Sequence, residues 1–594
     1  MSTPEGNSLS PGTGVAESVW GLPERLTEIS WFRDWDYYIA AFSSLKKYWH
    51  DYGTVPVWNF HFCGGRPELA NPQNWTLTWL HPLIYVFEPV HLILLLWLVM
   101  TIVGSWATAA LLYRSIKHKP SSMLAGLVYA LSGYFGAHFN QGVVTFSFMH
   151  LIPLLILIAD RRSDKPTIRN SIAMFSVSLA FFTSALPHGL FYFYPAFLLY
   201  LLVKMTANPL TTLSLRKLVL LTYPHLFGLG VALYKLFPVI AWQRLFPREG
   251  VLQEALTPAA MVANLLRIDA NYDNMLAKAF DDQFWFLWEY NAFIGAVPII
   301  AAVCGLSTAF RHHSRSTETV SKDLLLIRYG VLLIICGTLL SAGNTYWYTP
   351  GYWFKQLPLV GGIRVFGRFQ ILIIFGIVVL ASIGCRDVLN KSARLNKYWH
   401  SSQAAVFAFV MALTILPLLF QTGLHISSIR GTPFQTLESF YQPSGAKILQ
   451  LVLMDGNYLQ TGNTHHDYLL RQNGIVANCY DPLKLQRPPA PFGHVAGSST
   501  VNRWLPLSSP PPDKVTITAN GLSMVGPVSS EDNSAVYLTR SVAPVEITRT
   551  THADSTTTNI EATVPGSTQG LLVAVFFLVV FIMTEGMRAC TSRK

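Results

Sequence analysis

Apolar residues in this chain collect into long runs instead of alternating with polar ones. The runs fall at residues 90–113, 121–138, 143–160, 170–187, 189–204, 216–238, 291–310, 325–342, 367–386, 404–421 and 570–586. A helix rising about 1.5 Å per residue needs roughly 20 such residues to cross a hydrocarbon core about 30 Å thick. The pattern therefore predicts about eleven transmembrane helices, the pair flanking Pro187 being the weakest part of the count. Between 422 and 569 the pattern changes to Thr, Ser and Pro, and Val515-Thr516-Ile517-Thr518 and Val545-Glu546-Ile547-Thr548 alternate as half-buried strands do. The predicted fold is an all-α polytopic membrane protein with a small β-rich module. An N-terminal segment, 1–89, leads into a multi-span core, 90–421. The module at 422–569 follows, and a last helix with a basic tail, 570–594, anchors it.

Charge then orients the spans. The alternate connections 114–120, 160–170, 204–217, 311–328, 386–397 and 588–594 hold 21 of the 43 Lys and Arg residues and only five acids. Lys and Arg in short loops stay cytoplasmic, so residues 1–89, 239–290, 343–366 and the module fall outside the cell membrane. The formal charge of +11 is thereby a topology signal and not a nucleic-acid footprint. An odd number of spans with the C-terminus inside puts the N-terminus outside, yet the first 30 residues carry no hydrophobic export signal. Either a short tail crosses with the first span or a first helix precedes this reading frame, and the second is the expectation here.

Composition agrees. Hydrophobic residues make up 51% and charged residues 13%, about half the usual globular share of about 25%. That excludes a soluble enzyme, a disordered regulator and a nucleic-acid-binding protein. Cys304, Cys336, Cys385 and Cys590 lie in spans or on the inner side. Cys63 and Cys479 face out, as a bridge or as two unrelated thiols. The chain has no Walker loop, HExxH, CxxC or complete dinucleotide fingerprint, and His465-His466-Asp467 reads as a solvated loop before a metal site.

The outward loops carry the candidate chemistry. The first contains Asp34-Trp35-Asp36, then Pro56-Val57-Trp58-Asn59, Cys63-Gly64-Gly65-Arg66-Pro67 and Leu69-Ala70-Asn71-Pro72-Gln73-Asn74. Gly and Pro favour defined turns, and a carboxylate among interfacial aromatics acts as a base or holds a divalent cation. Capping a helix start is the bland alternative. Arg364 and Arg368 sit four residues apart at an outer helix start, where guanidinium forks and amide donors meet phosphate oxygens or merely snorkel. Glu289, beside Trp288 and Tyr290 at a membrane boundary, is costly unless used or paired. His188, in Leu186-Pro187-His188-Gly189, is a proton-transfer or phosphate candidate, or a passive hydrogen-bonding residue; His138 and His150 rank below it. Lys235 and Arg244 are the exceptions to acids and bases staying in loops.

Taken together, these first-loop motifs resemble the first external loop of bacterial YfhO-type membrane proteins. Looser matches are Leu131-Ser132-Gly133-Tyr134, Trp288-Glu289-Tyr290 with Ile294-Gly295, and Pro358 followed by Arg364 and Arg368. The similarity runs through about residues 31–385. It implies the GT-C superfamily, multi-pass glycosyltransferases of the cell (inner) membrane that use polyprenyl-phosphate-linked sugars outside it. By position the catalytic aspartate is Asp36, with Asp34 beside it. A divalent cation, magnesium or manganese, would be held by the pair, and no nucleotide is needed. Arg364 and Arg368 go to the lipid phosphate by chemistry, with Glu289, His188 and Asn71 as additional candidates. The helix that precedes the first loop in the family is absent here; adding it would give twelve spans. The expected partners are the lipid-linked sugar, the bilayer and an envelope glycan, lipid or protein acceptor. A transporter or flippase of lipid-linked glycans, or a non-catalytic assembly factor, is the alternative.

Overall fold

The computed structural model describes residues 66–185, 188–207, 215–245, 256–267, 287–312, 318–344, 347–356, 365–395, 400–427 and 567–591. It also describes 38–39, 41–46, 49, 55, 58–59 and six strands between 503 and 562. Asp34, Asp36, Cys63, Arg364, Cys479 and residues 465–467 lie outside them, while Arg244 falls in the last turn of a described helix.

Residues 38–39 and 41–46 are helical, and a short ladder follows, β1 (Trp58–Asn59) with β2 (Arg66–Pro67). Helices follow: α1 (His81–Val86), α2 (Pro89–Ile116), α3 (Lys119–Ala130), α4 (Gly133–Asn140), α5 (Leu151–Asp164), α6 (Ile168–Ser184), α7 (His188–Ala207), α8 (Leu215–Leu245) and α9 (Pro258–Leu266). After these come α10 (Ala296–His312), α11 (Glu318–Ser341), α12 (Pro350–Gln356), α13 (Gln370–Leu395), α14 (His400–Ser427) and, after the strands, α15 (Ser567–Thr591). Three 3-10 turns, Val144–His150, Leu287–Tyr290 and Phe366–Phe369, matter below.

Every apolar run carries helix, but not every run is one long helix. Among the described residues six helical segments are long and apolar enough to cross a membrane, and three apolar helices are shorter. This is a mostly helical, multi-pass membrane protein. The run 121–138 breaks at Leu131–Ser132 into α3 and α4, because Gly133 N–H turns away to bond the Phe293 carbonyl at 2.8 Å. The run 143–160 starts as the 3-10 turn before becoming α5.

At the centre stands α13, 89% of whose most apolar stretch is buried inside the protein. Its neighbours approach through glycines: a Cβ on Gly384 would strike the Ala301 carbonyl of α10, and one on Gly376 would meet the Gly330 carbonyl of α11 at 2.6 Å. Small residues let membrane helices pack backbone to backbone. By contrast α15 is only 22% buried over its stretch and rides on α6 and α8, with Phe581 stacked on Phe175 at 4.2 Å.

The basic connections gather at one end. Asp160 accepts from Arg114 at 2.8 Å, Lys204 at 2.7 Å and Tyr200 at 2.8 Å. Arg386 grips Asp323 through both Nη atoms at 2.9 and 2.8 Å, and Arg588 reaches the Pro166 carbonyl at 3.1 Å. Beyond α14, strands pair in the order β5-β4-β8-β7, from β4 (Lys514–Ala519), β5 (Leu522–Pro527), β7 (Val545–His552) and β8 (Ser555–Ala562). β4 pairs antiparallel with β5 and parallel with β8, and β3 (Arg503–Leu505) pairs with β6 (Val536–Leu538). The two alternating runs read from the sequence lie in β4 and β7.

Candidate functional site

At the end of the bundle opposite the basic cluster, two 3-10 turns face each other. One carries Glu289 and the other Arg368. They come close because residue 367 is glycine: a Cβ there would collide with the Tyr290 ring. Gln370 locks the approach, its Nε2 donating to the Tyr290 and Gly367 carbonyls at 3.1 and 3.0 Å, while Asn264 donates to its Oε1 at 3.3 Å. Gly295, at φ +80°, turns the chain so that the amides of Ile294 and Gly295 both reach the Leu265 carbonyl.

Within this frame Arg368 clasps Glu289 with two parallel bonds, Nε to Oε2 at 2.7 Å and Nη2 to Oε1 at 2.5 Å. Such a fork is the strongest common ion-pair geometry. The Glu289 side chain is 2% exposed and that of Arg368 14%. His138 closes the other side, its Nε2 3.4 Å from Glu289 Oε2. The guanidinium lies over the Phe146 ring at 4.8 Å, and His138 stacks on the same ring at 4.2 Å. Burial alone would raise the Glu289 carboxyl, but the Arg368 charge and the hydrogen bonds from His138 and Arg368 outweigh it and lower it to about 2. The carboxylate is therefore ionised.

His138 gives the cluster its proton chemistry. Its Nδ1 lies 2.7 Å from the Tyr134 carbonyl, which only accepts, so Nδ1 carries a proton. A second proton on Nε2 turns the approach to Glu289 into an ion pair; without it, two lone pairs face each other. The Tyr134 hydroxyl, buried in the same field, has no hydrogen-bond partner.

The first-loop segment reaches this cluster through the Val144–His150 turn. Trp75 meets the Phe148 ring edge-on at 5.8 Å, while Phe146 of the same turn underlies Arg368 and His138. Asn71, fully buried, shapes the loop: its Oδ1 accepts from the Gln73 amide at 3.0 Å. That is an Asx turn, the reason Asn precedes Pro72 here. Lys235 of α8 donates to the carbonyls of Asn74 and Thr183, the latter at 3.1 Å. Burial, with the Lys235 charge added, lowers His81 to about 4.

Of the residues singled out from the sequence, Glu289 and Arg368 meet directly, Asn71 is a turn former, and His188 is the first residue of α7. Gln370 and Asn264 carried no motif, and Tyr134 and Asn74 stood inside quoted motifs without a role assigned to them. A lone lysine in an apolar helix was the one signal available, and its partners are backbone carbonyls, which sequence does not mark. Among the described residues no group of three or more His, Cys, Asp or Glu side chains gathers to hold a metal. No family model and no curated protein matches the chain.

Proposed function

We propose that the chain is a membrane glycosyltransferase of the GT-C kind, moving a sugar from a polyprenyl-phosphate donor to an extracytoplasmic glycan, lipid or protein acceptor. The observation that supports it is convergence. The first loop and the Glu289 and Arg368 turns, three segments far apart in the sequence, meet around the Val144–His150 turn. They do so at the end away from the basic connections. In this reading eleven spans cross the inner membrane and the 422–569 module binds acceptor outside.

Asp36 is proposed to take the proton of the acceptor hydroxyl, directly or with Asp34 and a divalent cation, as the hydroxyl oxygen bonds the anomeric carbon and the phosphate oxygen departs. The fork of Arg368 is filled by Glu289, so Arg364 is the arginine assigned to the leaving phosphate. Glu289, Arg368 and His138 then act as a rigid wall behind the reacting groups. The transporter reading keeps one observation in its favour, the buried Lys235 inside a span.

Purified protein in lipid, given a panel of polyprenyl-phosphate sugars, acceptors and magnesium or manganese, tests this by release of free polyprenyl phosphate. Acceptor-dependent release that vanishes in Asp36→Asn or Asp34→Asn is the expected result. Release indifferent to both variants sinks the site. Movement of the lipid-linked sugar across the bilayer without release selects the flippase.

A further inference from the structure

The segments that Lys235 ties together carry buried polar atoms with no hydrogen-bond partner among the described residues. Lys235 is 0% exposed, and its two bonds tie the first-loop segment to the end of α6 and to α8. Tyr234 adds a second tie by donating to the Leu77 carbonyl. On these tied segments both amide atoms of Asn74, Trp75 Nε1, Thr76 Oγ1, His81 Nδ1 and Ser184 Oγ are buried without a hydrogen-bond partner. Native proteins leave only a few such atoms per hundred residues, and each one weakens the fold. Six on segment 74–81 and the end of α6 is a concentration. The Glu289–Arg368 turn, by contrast, pairs its charges.

The atoms specify the ligand. The amide and the two hydroxyls each supply donors and acceptors, and the indole only donates. The Lys235 charge lies in the field of Glu68, itself fully buried. An anion would meet that carboxylate and the Asn74 carbonyl oxygen as well as the ammonium. A neutral ring of hydroxyls, each donating and accepting, suits them all. We propose that Asn74, Thr76, Ser184 and Lys235 form a subsite for one sugar residue, resting on the transferase reading above. These atoms are buried, so a sugar that reaches them has to part segment 74–81 from α6 and α8.

The test uses the full chain in lipid nanodiscs. Free glucose, galactose, mannose and N-acetylglucosamine at millimolar concentration form one arm, and their polyprenyl-phosphate-linked forms the other. The readouts are the unfolding midpoint and amide hydrogen exchange over 74–81. The expected result is a sugar that raises the midpoint and changes exchange there; response to the free sugar assigns an acceptor unit, and response to the lipid-linked form alone assigns the donor. Asn74→Leu and Thr76→Val weaken that sugar's apparent affinity roughly tenfold or more. Their ligand-free midpoints equal or exceed wild type, because an unsatisfied group has been removed. The proposal is overturned if no sugar in either form shifts the midpoint, or if Asn74→Leu lowers the ligand-free midpoint, which would mean bound water already satisfies the amide. Sugar binding without lipid release would uphold the subsite and refute the transferase. Release undiminished in Asn74→Leu would refute the subsite alone.

Discussion

Glu289 and Arg368 are each other's reason for being buried. Replacing Glu289 with Leu strands a guanidinium away from water, and breaking a buried pair from one side costs about 3–5 kcal/mol. The expected outcome is a large fall in the unfolding midpoint for Glu289→Leu and recovery of most of it in Glu289→Leu/Arg368→Met. Equal midpoints for the two variants would show that an unpaired Arg368 carries no penalty there. Titration adds two windows. The Glu289 carboxyl is lowered from 4.5 to about 2 in the fold, so the stability it contributes is full above about pH 4.5 and is lost as pH falls through about 2. His81 is lowered from 6.5 to about 4, so the unfolded chain binds the proton first and stability declines as pH drops from about 6.5 to 4. His81→Gln should flatten the upper part of an acid denaturation profile, and Glu289→Gln the lower part. The sequence already marked Glu289 and Arg368, since a charge at a membrane boundary invites explanation. That they were partners was hidden, because 79 residues separate them and the bond depends on a glycine at 367.

At the scale of elements, the glycines of α13 make the clearest forecast. A methyl group on Gly384 has to displace the α10 backbone, and overpacking of this sort costs about 1–3 kcal/mol. Gly586 of α15 has nothing within 4 Å of a built Cβ, so there an alanine only improves helix propensity, by about 0.5–1 kcal/mol. Thermal unfolding of Gly384→Ala beside Gly586→Ala should therefore show a drop for the first and none for the second. Apolar runs made the helices legible, because burial in lipid requires them. The break at Leu131–Ser132 was not legible: it arises from one amide that bonds Phe293 across the bundle, a contact with no local trace. Nor does composition distinguish α13, 89% buried over its most apolar stretch, from α15, 22% buried over its own; both read simply as apolar.

Across the whole molecule, the basic connections converge. Segments far apart in sequence that share a surplus of Lys and Arg share one end, joined through Asp160, Asp323 and Pro166. Single cysteines placed at Lys165 and Lys391 in a cysteine-free background should resist a membrane-impermeant maleimide in intact cells, and one at Trp347 should react. Labelling of the first two from outside would invert the topology and remove the proposed outer site with it. Asp34 and Asp36, on which the chemistry of the proposal turns, were marked as carboxylates among aromatics in an outer loop, but the preference for Asp36 came from resemblance alone.

The central place of α13 also bears on how the protein is made. The helices that close most tightly around it, α3, α10 and α11, all precede it in the chain. By the time the ribosome delivers α13, the surface that receives it has already been synthesised. The stretch with Arg368 and Gln370 at one end and Arg386 at the other is thus made after the residues that pair with its charges, Glu289 and Asp323.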